Sequence, residues 1–493
     1  MQHLPILIVL VPMVAALLCP LVGRRFSWGI SLTATWTCFA IAVRLLQMVL
    51  AGGTIDYELG GWEPPWGIAY RVDLLGSLVL LIVSTLAALV ITASRASIRD
   101  EIAPQRRPAF HTSLLLLITG LLGMTVTGDA FNLFVSLEVS SLATYTLIGL
   151  GKDRRALTAA FQYLVMGSIG ATFVLIGIGF LYMMTGTLNM ADLAARLPEV
   201  SHTRTVRVGF AFLGIGLGLK LALFPLHLWL PNAYAYAPSA VSALLASTAT
   251  KVAAYVLIRF LLTVFGPEFA LSTMPFDKIL IALGLTGILS ASLTAILQSN
   301  AKRLFAYSSV GQMGYVVLGV GIASSLGVSA AILHLANHAL MKGALFLGLA
   351  AIMLRTGSVR VDAFRGMGKR MPWTMAAIAI AGLSLIGIPG TAGFLSKWYL
   401  LMATLDAGLW PLAVVILIGS LLAVAYVGRI LEAAYLKQPE PGEPGFEKVA
   451  EAPLGMLIPI YVLVLSNLYF GMNTELTAGL AEQAAAALME VTP

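Results

Sequence analysis

Charged residues are scarce in this sequence of 493 residues. Asp, Glu, Lys and Arg make up only 11% of it, whereas apolar residues make up 59%, and an ordinary soluble domain is about 25% charged. The composition therefore excludes a soluble enzyme. One bilayer crossing takes about 20 apolar residues, so the chain has room for many crossings joined by short loops. We expect an all-α polytopic membrane protein.

Cysteine is almost absent as well. The two cysteines, Cys19 and Cys38, both lie in apolar runs, which excludes a disulfide framework and an iron–sulfur site. No redox cofactor motif is present, and we expect neither a cofactor nor a bound metal. The net charge is +7, but the 30 basic residues are spread over many loops. This pattern is typical of the positive-inside bias and argues against a nucleic-acid partner.

Apolar runs bounded by charges, proline and glycine predict about fourteen transmembrane helices. The first run has no basic segment before it, so we interpret it as a retained span and not as a cleaved signal peptide. The predicted spans are 4–22, 27–50, 73–93, 112–128, 130–149, 161–184, 207–237, 240–265, 277–298, 306–323, 328–354, 374–404, 409–436 and 454–472.

The loops between these spans differ in charge. Most of the Lys and Arg outside the spans fall in one set of alternate loops, whereas the opposite set carries only Arg71, Arg196, Arg204 and Arg207, with Lys278 near a helix end. Basic loops face the cytoplasm, so we expect a multi-pass protein of the cell inner membrane with both termini outside the cytoplasm. The 437–453 loop fits this rule least, because it is acidic as well as basic.

Of the lysines inside predicted spans, three matter most: Lys220, Lys251 and Lys397. Each charge near the bilayer centre costs about 2.5 to 3.5 kcal/mol, so these amines must face protein or water and need a partner. The best acidic candidate is Glu138, in the middle of FNLFVSLEVSSLATYTL, and Glu432 is next. A lysine near a movable carboxylate can alternate between holding and releasing a proton. The pattern predicts a proton relay; the alternative is a static ion pair that joins two helices.

Three arginines, Arg44, Arg259 and Arg429, also fall within predicted spans. Arg44 and Arg259 lie near predicted helix ends, from which a long side chain can reach the headgroup region. We interpret all three as structural and keep Arg429 as a secondary candidate for the relay.

Proline and glycine interrupt two of the predicted spans. Pro225 and Pro231 lie in 207–237, and Pro389 lies among glycines in 374–404. A single proline is often only a bend. However, a broken helix at membrane depth frees backbone groups that transporters use in ion sites, and each broken span also holds one of the lysines.

The spacing of the two interruptions predicts an internal repeat. Each interrupted helix would be the fourth of a five-helix unit, and because five is odd the two units would be inverted relative to each other. Lys220 and Lys397 would then be counterparts. The predicted organisation is an N-terminal unit of three helices (1–111), a first repeat (112–265), a second repeat (266–436) and a C-terminal loop with the last helix (437–493).

His334, His338 and Lys342 recur at intervals of four in AILHLANHALMKGALFL, which places them on one face of a helix. Two histidines at this spacing are half of a metal site, but no third ligand is evident nearby. A buried histidine is often only a hydrogen-bonded core residue. Since histidine titrates near neutrality, the other interpretation is a proton carrier, and His227 is a weaker candidate of the same kind.

Several segments together resemble a known family. They are FNLFVSLEVSSLATYTLIGLG, LKLALFPLHLWLPNAY, TATKVAAY, NAKRLFAYSSVGQMGY, HLANHALMKGALFL and GIPGTAGFLSKWYL. The sequence is similar to the antiporter-like membrane subunits shared by Mrp-type multisubunit Na⁺/H⁺ antiporters, respiratory complex I and membrane-bound hydrogenases. Through GTLNMADL and Lys397 it most resembles the D subunits of Mrp antiporters.

The resemblance implies fourteen helices, two inverted repeats with discontinuous fourth helices, and a hydrated axis through the charged residues. It implies that Glu138 and Lys220 interact, that Lys251 and a histidine of 328–354 connect, and that Lys397 is the terminal exchanger. The expected function is proton translocation in a hetero-oligomeric cation/proton antiporter, with Na⁺ as a possible second ion. The alternatives are a pumping subunit of a redox complex, which alone would make the assembly an enzyme, a free-standing solute carrier, and a scaffold.

Overall fold

The computed structural model describes residues 2–438 and 449–490, and its regular structure is almost entirely helical. Within these residues, twelve helical segments are long and apolar enough to cross a membrane, with Ser239–Val264 taken as one segment. The described residues also contain shorter helices. The helices are α1 Leu4–Val22, α2 Ser27–Gly52, α3 Leu74–Ala93, α4 Arg95–Glu101, α5 Arg107–Val126, α6 Ala130–Gly149, α7 Arg155–Thr185, α8 Met190–Val200, α9 Arg204–Lys220, α10 Trp229–Tyr236, α11 Ser239–Ser247, α12 Ala249–Ile258, α13 Phe276–Ile296, α14 Ala301–Gly321, α15 Ser325–Thr356, α16 Met367–Arg370, α17 Pro372–Ile386, α18 Ala392–Asp406, α19 Trp410–Tyr435, α20 Leu454–Met472 and α21 Glu475–Met489.

The two spans with predicted interruptions are each divided into two helices. The first breaks between α9 and α10 and the second between α17 and α18. Gly387 and Gly390, in the second break, have φ of 94° and 85°, a left-handed conformation that favours glycine. The other twelve predicted spans coincide with the twelve long helices to within several residues. The total of fourteen crossings stays a prediction.

A further irregularity was not predicted. The span predicted at 240–265 bends at Thr248 (φ −124°, ψ −53°), which separates α11 from α12, and its last part continues as a π-helix, Arg259–Val264. Neither proline nor glycine lies beside Thr248, so the sequence gives no signal for a helix break at this point. The bend lies three residues before Lys251.

Several short elements were also missed. A β-hairpin joins α2 to α3, with β1 (Ile55–Glu58) antiparallel to β2 (Ala69–Val72). The last helix, α21, follows the final predicted span and packs against α15 and α3. Its sequence is rich in alanine and too weakly apolar to be predicted as a transmembrane helix. Part of the predicted 437–453 loop, residues 439–448, lies outside the described residues.

The centre of the bundle is formed by α11, α12 and α14, whose residues are almost all buried. The long helix α15 packs against α11, α14, α17, α18 and α20. Because α15 carries His334, His338 and Lys342, these side chains lie at the centre of the molecule. The fold therefore brings the predicted polar residues of both halves towards one helix.

One local construction occurs twice. Asp129 pairs with Asn189 in an isolated antiparallel bridge, and Asn300 pairs with Arg360 in another. Each bridge is flanked by two backbone hydrogen bonds of 2.8 Å. Asp129 and Asn300 cap α6 and α14 by accepting from a backbone amide at 2.7 and 3.1 Å. Asn300 follows Asp129, and Arg360 follows Asn189, by the same number of residues. This match favours the predicted repeat.

Candidate functional site

Lys220 is the last residue of α9, and its side chain turns towards α6. It is 7% exposed. Its Nζ donates a hydrogen bond to Ser141 Oγ at 2.7 Å and lies 3.8 Å from Glu138 Oε1. Glu138 is therefore an ion-pair partner of Lys220 but is not in hydrogen-bonding contact with it.

The surroundings of this pair leave room for change. Within the described residues, Glu138 Oε1 and Tyr145 Oη are buried without a hydrogen-bond partner. A cavity of about 30 Å³ lies beside Lys220, lined by residues of α5, α6, α9 and α12 together with Tyr163. A water molecule needs about 10–15 Å³ of such volume, so the cavity has room for about two. It lies between Lys220 and α12, the helix that carries Lys251.

Lys251 is fully buried in α12. Its Nζ donates to the Ala246 carbonyl oxygen at 2.5 Å and to Thr250 Oγ1 at 3.4 Å. Ala246 lies in the last turn of α11, just before the bend at Thr248. The final carbonyls of a helix are free to accept, and the C-terminal end of the helix dipole attracts a cation. The unpredicted bend thus supplies the acceptor for this amine.

Lys397 is held in the same way at the second break. Its Nζ donates to the carbonyl oxygens of Leu385 and Ile386, the last residues of α17, at 3.0 and 2.9 Å, and to Ser420 Oγ at 3.1 Å. It also lies 4.9 Å from the centre of the Tyr315 ring. A Cβ on Gly387 would lie 3.0 Å from Lys397 Cδ, so this glycine makes room for the lysine stem.

Lys220 and Lys397 lie on opposite sides of their breaks. Lys220 ends α9 and so precedes its break, whereas Lys397 lies in α18, after its break. Their correspondence was inferred from the spacing of the two interruptions, and it stays a prediction.

The histidines of α15 lie between these lysines. His334 Nδ1 shares a hydrogen bond of 2.9 Å with Ser396 Oγ, next to Lys397, and the His334 and His338 rings stack with centroids 6.0 Å apart. His338 lies one helical turn from both His334 and Lys342 on α15. Among the residues that the structure describes, no three His, Cys, Asp or Glu side chains converge as metal ligands would.

Lys342, one turn further along α15, donates to the Phe305 carbonyl at 2.7 Å and to Ser308 Oγ. We use the name charged row for Glu138, Lys220, Lys251, Lys342, His338, His334 and Lys397. Its members come from α6, α9, α12, α15 and α18. The row contains the six main candidates and one secondary candidate, and all of them except the partly exposed Glu138 are buried.

The other secondary candidates occupy different places. His227 lies within the first break, stacks on Phe224 at 5.2 Å, and has Nδ1 without a partner in the described chain. Arg429 donates to the carbonyls of Ile296 and of Gln298, at the end of α13. Glu432 pairs with Lys437 at 3.0 Å, and both side chains are half exposed. Arg429 and Glu432 therefore lie near the end of α19 and not in the charged row.

Arg259 forms an ion pair, and its acidic partner was not predicted from the sequence. Its guanidinium binds both oxygens of Asp73, at 2.6 and 2.7 Å, and Asp73 also caps α3 through the Gly76 amide. Burial by itself would raise the pKa of Asp73, but the Arg259 charge and hydrogen bonds outweigh it and hold that pKa below its usual value. This pair links the N-terminal helices to the span α11–α12.

Sequence reasoning missed the hydroxyl groups that hold the amines and one buried cation. Ser141 lies three residues after Glu138, so the same helical face carries both, and this spacing was the available signal. The sequence contained no comparable signal for Ser308 or Ser420. Lys302 was counted among the loop cations, but it is 3% exposed, and its Nζ donates to the Ala237 carbonyl oxygen at 3.2 Å and to Ser239 Oγ at 3.0 Å.

Comparison with known proteins gives consistent matches over the whole chain. Residues 127–423 match the family described as NADH:quinone oxidoreductase/Mrp antiporter, TM. The chain is 43% identical to the N subunit of NADH-quinone oxidoreductase from Desulforudis audaxviator, over 96% of both chains. It is 31% identical to the D subunit of the Na(+)/H(+) antiporter from Alkalihalophilus pseudofirmus, over 96% of this chain and 95% of that one.

Two solved structures share its fold. One is a chain of the Mrp complex from Dietzia sp. DQ12-45-1b, with a TM-score of 0.90 and 26% identity. The other is a chain of the membrane-bound sulfane sulfur reductase, an archaeal respiratory membrane complex, with a TM-score of 0.91 and 29% identity. Each match covers 100% of this chain and 98% of the other. Both of those chains are parts of membrane complexes.

Proposed function

Because the chain belongs to the family of NADH:quinone oxidoreductase and Mrp antiporter membrane subunits, we propose that it moves protons along the charged row. The observation that carries this proposal is the arrangement at Lys220. Its amine has two alternative partners, Ser141 at 2.7 Å and Glu138 at 3.8 Å, and a cavity large enough for water lies beside it. An amine that can change partners can also change its protonation.

The other amines of the row support the same function. Lys251, Lys342 and Lys397 are bound by carbonyl and hydroxyl oxygens, and none of them has a carboxylate within 4.0 Å in the described chain. A buried lysine without a fixed countercharge can become neutral without leaving an unpaired anion behind. A static ion-pair network would instead contain one acid for each base.

The first candidate for the parent assembly is a monovalent cation/proton antiporter. The relative from Alkalihalophilus pseudofirmus and the Dietzia complex both carry that name or title. In such an assembly this subunit would conduct protons while Na⁺ crosses elsewhere in the complex. The partners would be other membrane subunits, and the ions transported by the assembly would be protons and Na⁺.

The second candidate is a proton-pumping subunit of a redox complex, and the specific observation in its favour is the 43% identity to a quinone oxidoreductase subunit. Purification of the native complex separates the two. Flavin and iron in stoichiometric amounts would support the redox assembly. Their absence, together with Na⁺-dependent proton transport in vesicles, would support the antiporter.

The exposure of Glu138 favours a neighbouring subunit on this side of α6. In the isolated chain 28% of the Glu138 side chain is exposed, and a carboxylate facing lipid at this depth is costly. We propose that a partner subunit covers it. We also propose that the chain lies in the cell inner membrane, with both termini outside the cytoplasm and the repeat boundaries given above (112–265 and 266–436).

The central test replaces single lysines in the complete complex. Lys220→Ala and Lys397→Ala should each abolish coupled proton movement in inverted membrane vesicles, because each removes one amine from a continuous path. The complex should still assemble. Lys152→Ala is the matched control: Lys152 pairs with Asp100 at 3.0 Å with both side chains half exposed, and its loss should leave transport unchanged. Near-normal transport in either row variant would remove that residue from the mechanism.

Two other functions make different predictions. A free-standing solute carrier would transport when this chain is expressed alone. A scaffold would tolerate a double replacement of Glu138 and Lys220 by leucine with normal transport and equal or higher stability, since apolar packing often replaces a buried ion pair without loss. We expect neither result.

A further inference from the structure

Ser141 occupies a particular position beside the Glu138–Lys220 pair. It lies on α6, is 3% exposed, and accepts a hydrogen bond from Lys220 Nζ at 2.7 Å. Its own hydroxyl hydrogen is already used, because Ser141 Oγ donates to the Leu137 carbonyl oxygen at 2.7 Å. The hydroxyl therefore offers only lone pairs to the lysine, and its orientation is fixed by the helix backbone.

This bond competes with the ion pair. Lys220 Nζ is within full hydrogen-bond distance of Ser141 but 3.8 Å from Glu138 Oε1, which is left without a hydrogen-bond partner in the described chain. A charge-assisted hydrogen bond between an amine and a carboxylate is about 2.7–2.9 Å long. Since Coulomb attraction varies inversely with distance, closing the gap to such a length would strengthen the attraction by about a third.

We propose that Ser141 is a positioning residue that keeps the Lys220 amine from closing onto Glu138. The inference rests on the proposed function, because it matters only if Lys220 passes protons. By holding the amine at an intermediate position, Ser141 prevents the pair from locking and keeps Lys220 beside the small cavity that leads towards α12.

The role is specific to this position of the charged row. Lys342 and Lys397 also donate to serine hydroxyls, those of Ser308 and Ser420. Neither of these lysines has a carboxylate within ion-pair distance among the described residues, so their serines compete with no ion pair. At Lys220 the serine and the acid lie on the same helix three residues apart, and both are within reach of the same amine.

The test is Ser141→Ala in the complete complex. Without the hydroxyl, Lys220 should close onto Glu138 and form a contact ion pair, which releases its proton less readily. We expect proton transport near neutral pH to fall about tenfold and its pH profile to move upward by about one unit, the scale of effect that a close opposite charge produces. A structure of the variant complex should show the Nζ–Oε1 distance reduced to hydrogen-bond length.

Thr146→Ala is the matched control. Thr146 lies on the same helix, donates to the Leu142 carbonyl oxygen at 3.1 Å in the same way, and is not among the residues that line the cavity. No hydrogen bond joins it to Lys220 in the structure, so its pH profile should match that of the wild type. Ser141→Thr keeps the hydroxyl acceptor and should keep the wild-type profile.

Ser141→Cys guards against a failure of the alanine variant to assemble. It keeps the volume of the side chain but is a weak acceptor, so it should shift the profile in the same direction as alanine. A wild-type profile in both Ser141→Ala and Ser141→Cys, or an unchanged distance of 3.8 Å between Lys220 Nζ and Glu138 Oε1, would overturn the role of Ser141. An inactive Lys220→Ala would in that case still support the proposed function. Normal transport by Lys220→Ala would instead overturn the proposed function itself.

Discussion

At the residue scale, the buried amines share one mode of binding. Lys251 and Lys397 each donate to carbonyl oxygens next to a bend or break in a helix, and Lys342 donates to a carbonyl inside α14. Carbonyl and hydroxyl oxygens stabilise a cation without fixing it permanently, because they carry only partial charges. This arrangement suits groups that must be charged at one moment and neutral at the next.

His338 provides a prediction at this scale. Neither ring nitrogen of His338 has a hydrogen-bond partner in the part of the chain that the structure describes, and a buried polar atom without a partner costs about 1–3 kcal/mol. His338→Leu should therefore leave the unfolding midpoint of the complex equal or higher while it reduces proton transport at least tenfold. Thermal unfolding and vesicle assays on the same preparation measure both.

His334 serves as the comparison. Its Nδ1 shares a hydrogen bond with Ser396, so His334→Leu should reduce transport and also lower the free energy of unfolding by about 0.5–1.5 kcal/mol, the net contribution of one hydrogen bond. Equal loss of stability in the two variants would show that His338 also has a structural role. Normal transport in His338→Leu would exclude it from the charged row.

At the element scale, the buried pair between Asp73 and Arg259 joins α3 to the end of the span that carries Lys251. Removing one partner of a buried ion pair typically costs about 3–5 kcal/mol, because the remaining charge stays buried. Asp73→Asn should therefore lower the free energy of unfolding by about that amount. Unfolding of the purified complex in denaturing detergent measures the change.

The double variant Asp73→Asn with Arg259→Met is the control for this prediction. It removes the uncompensated charge and should recover most of the lost stability, since apolar packing often replaces a buried pair. If the double variant were as unstable as Asp73→Asn alone, the effect would come from the cap that Asp73 provides to α3 and not from the ion pair.

The helices show where sequence patterns are sufficient and where they are not. Apolar runs predicted the twelve long helices, and proline with glycine predicted the two breaks, because both signals depend on local chain chemistry. The bend at Thr248 and the hairpin β1–β2 depend on packing against other elements and carry no comparable local signal. Glu138 was singled out because few acids lie within spans, and its pairing with Lys220 was implied only by the family resemblance, whereas Ser308 and Ser420 gave no sign of their role.

At the scale of the whole molecule, the predicted orientation can be measured directly. Trp66 is 92% exposed in the hairpin connection and Arg24 lies in the exposed loop between α1 and α2, so one crossing separates them. In whole cells an impermeant maleimide should label Trp66→Cys but not Arg24→Cys, whereas inverted vesicles should give the reverse. The native thiols of Cys19 and Cys38 are buried and should stay unlabelled. The opposite pattern would reverse the proposed topology.

The matching bridges at Asp129–Asn189 and Asn300–Arg360 have a consequence for directionality. By the spacing that relates them, the position in α14 that matches Glu138 is Ser309, a buried residue. If both halves were identical and inverted, turning the subunit over would reproduce the same conductor, and neither direction would be kinetically distinct. If the two halves are inverted repeats, the acid present in one half and missing from the other would abolish that equivalence, and the direction of proton conduction would be set at this position.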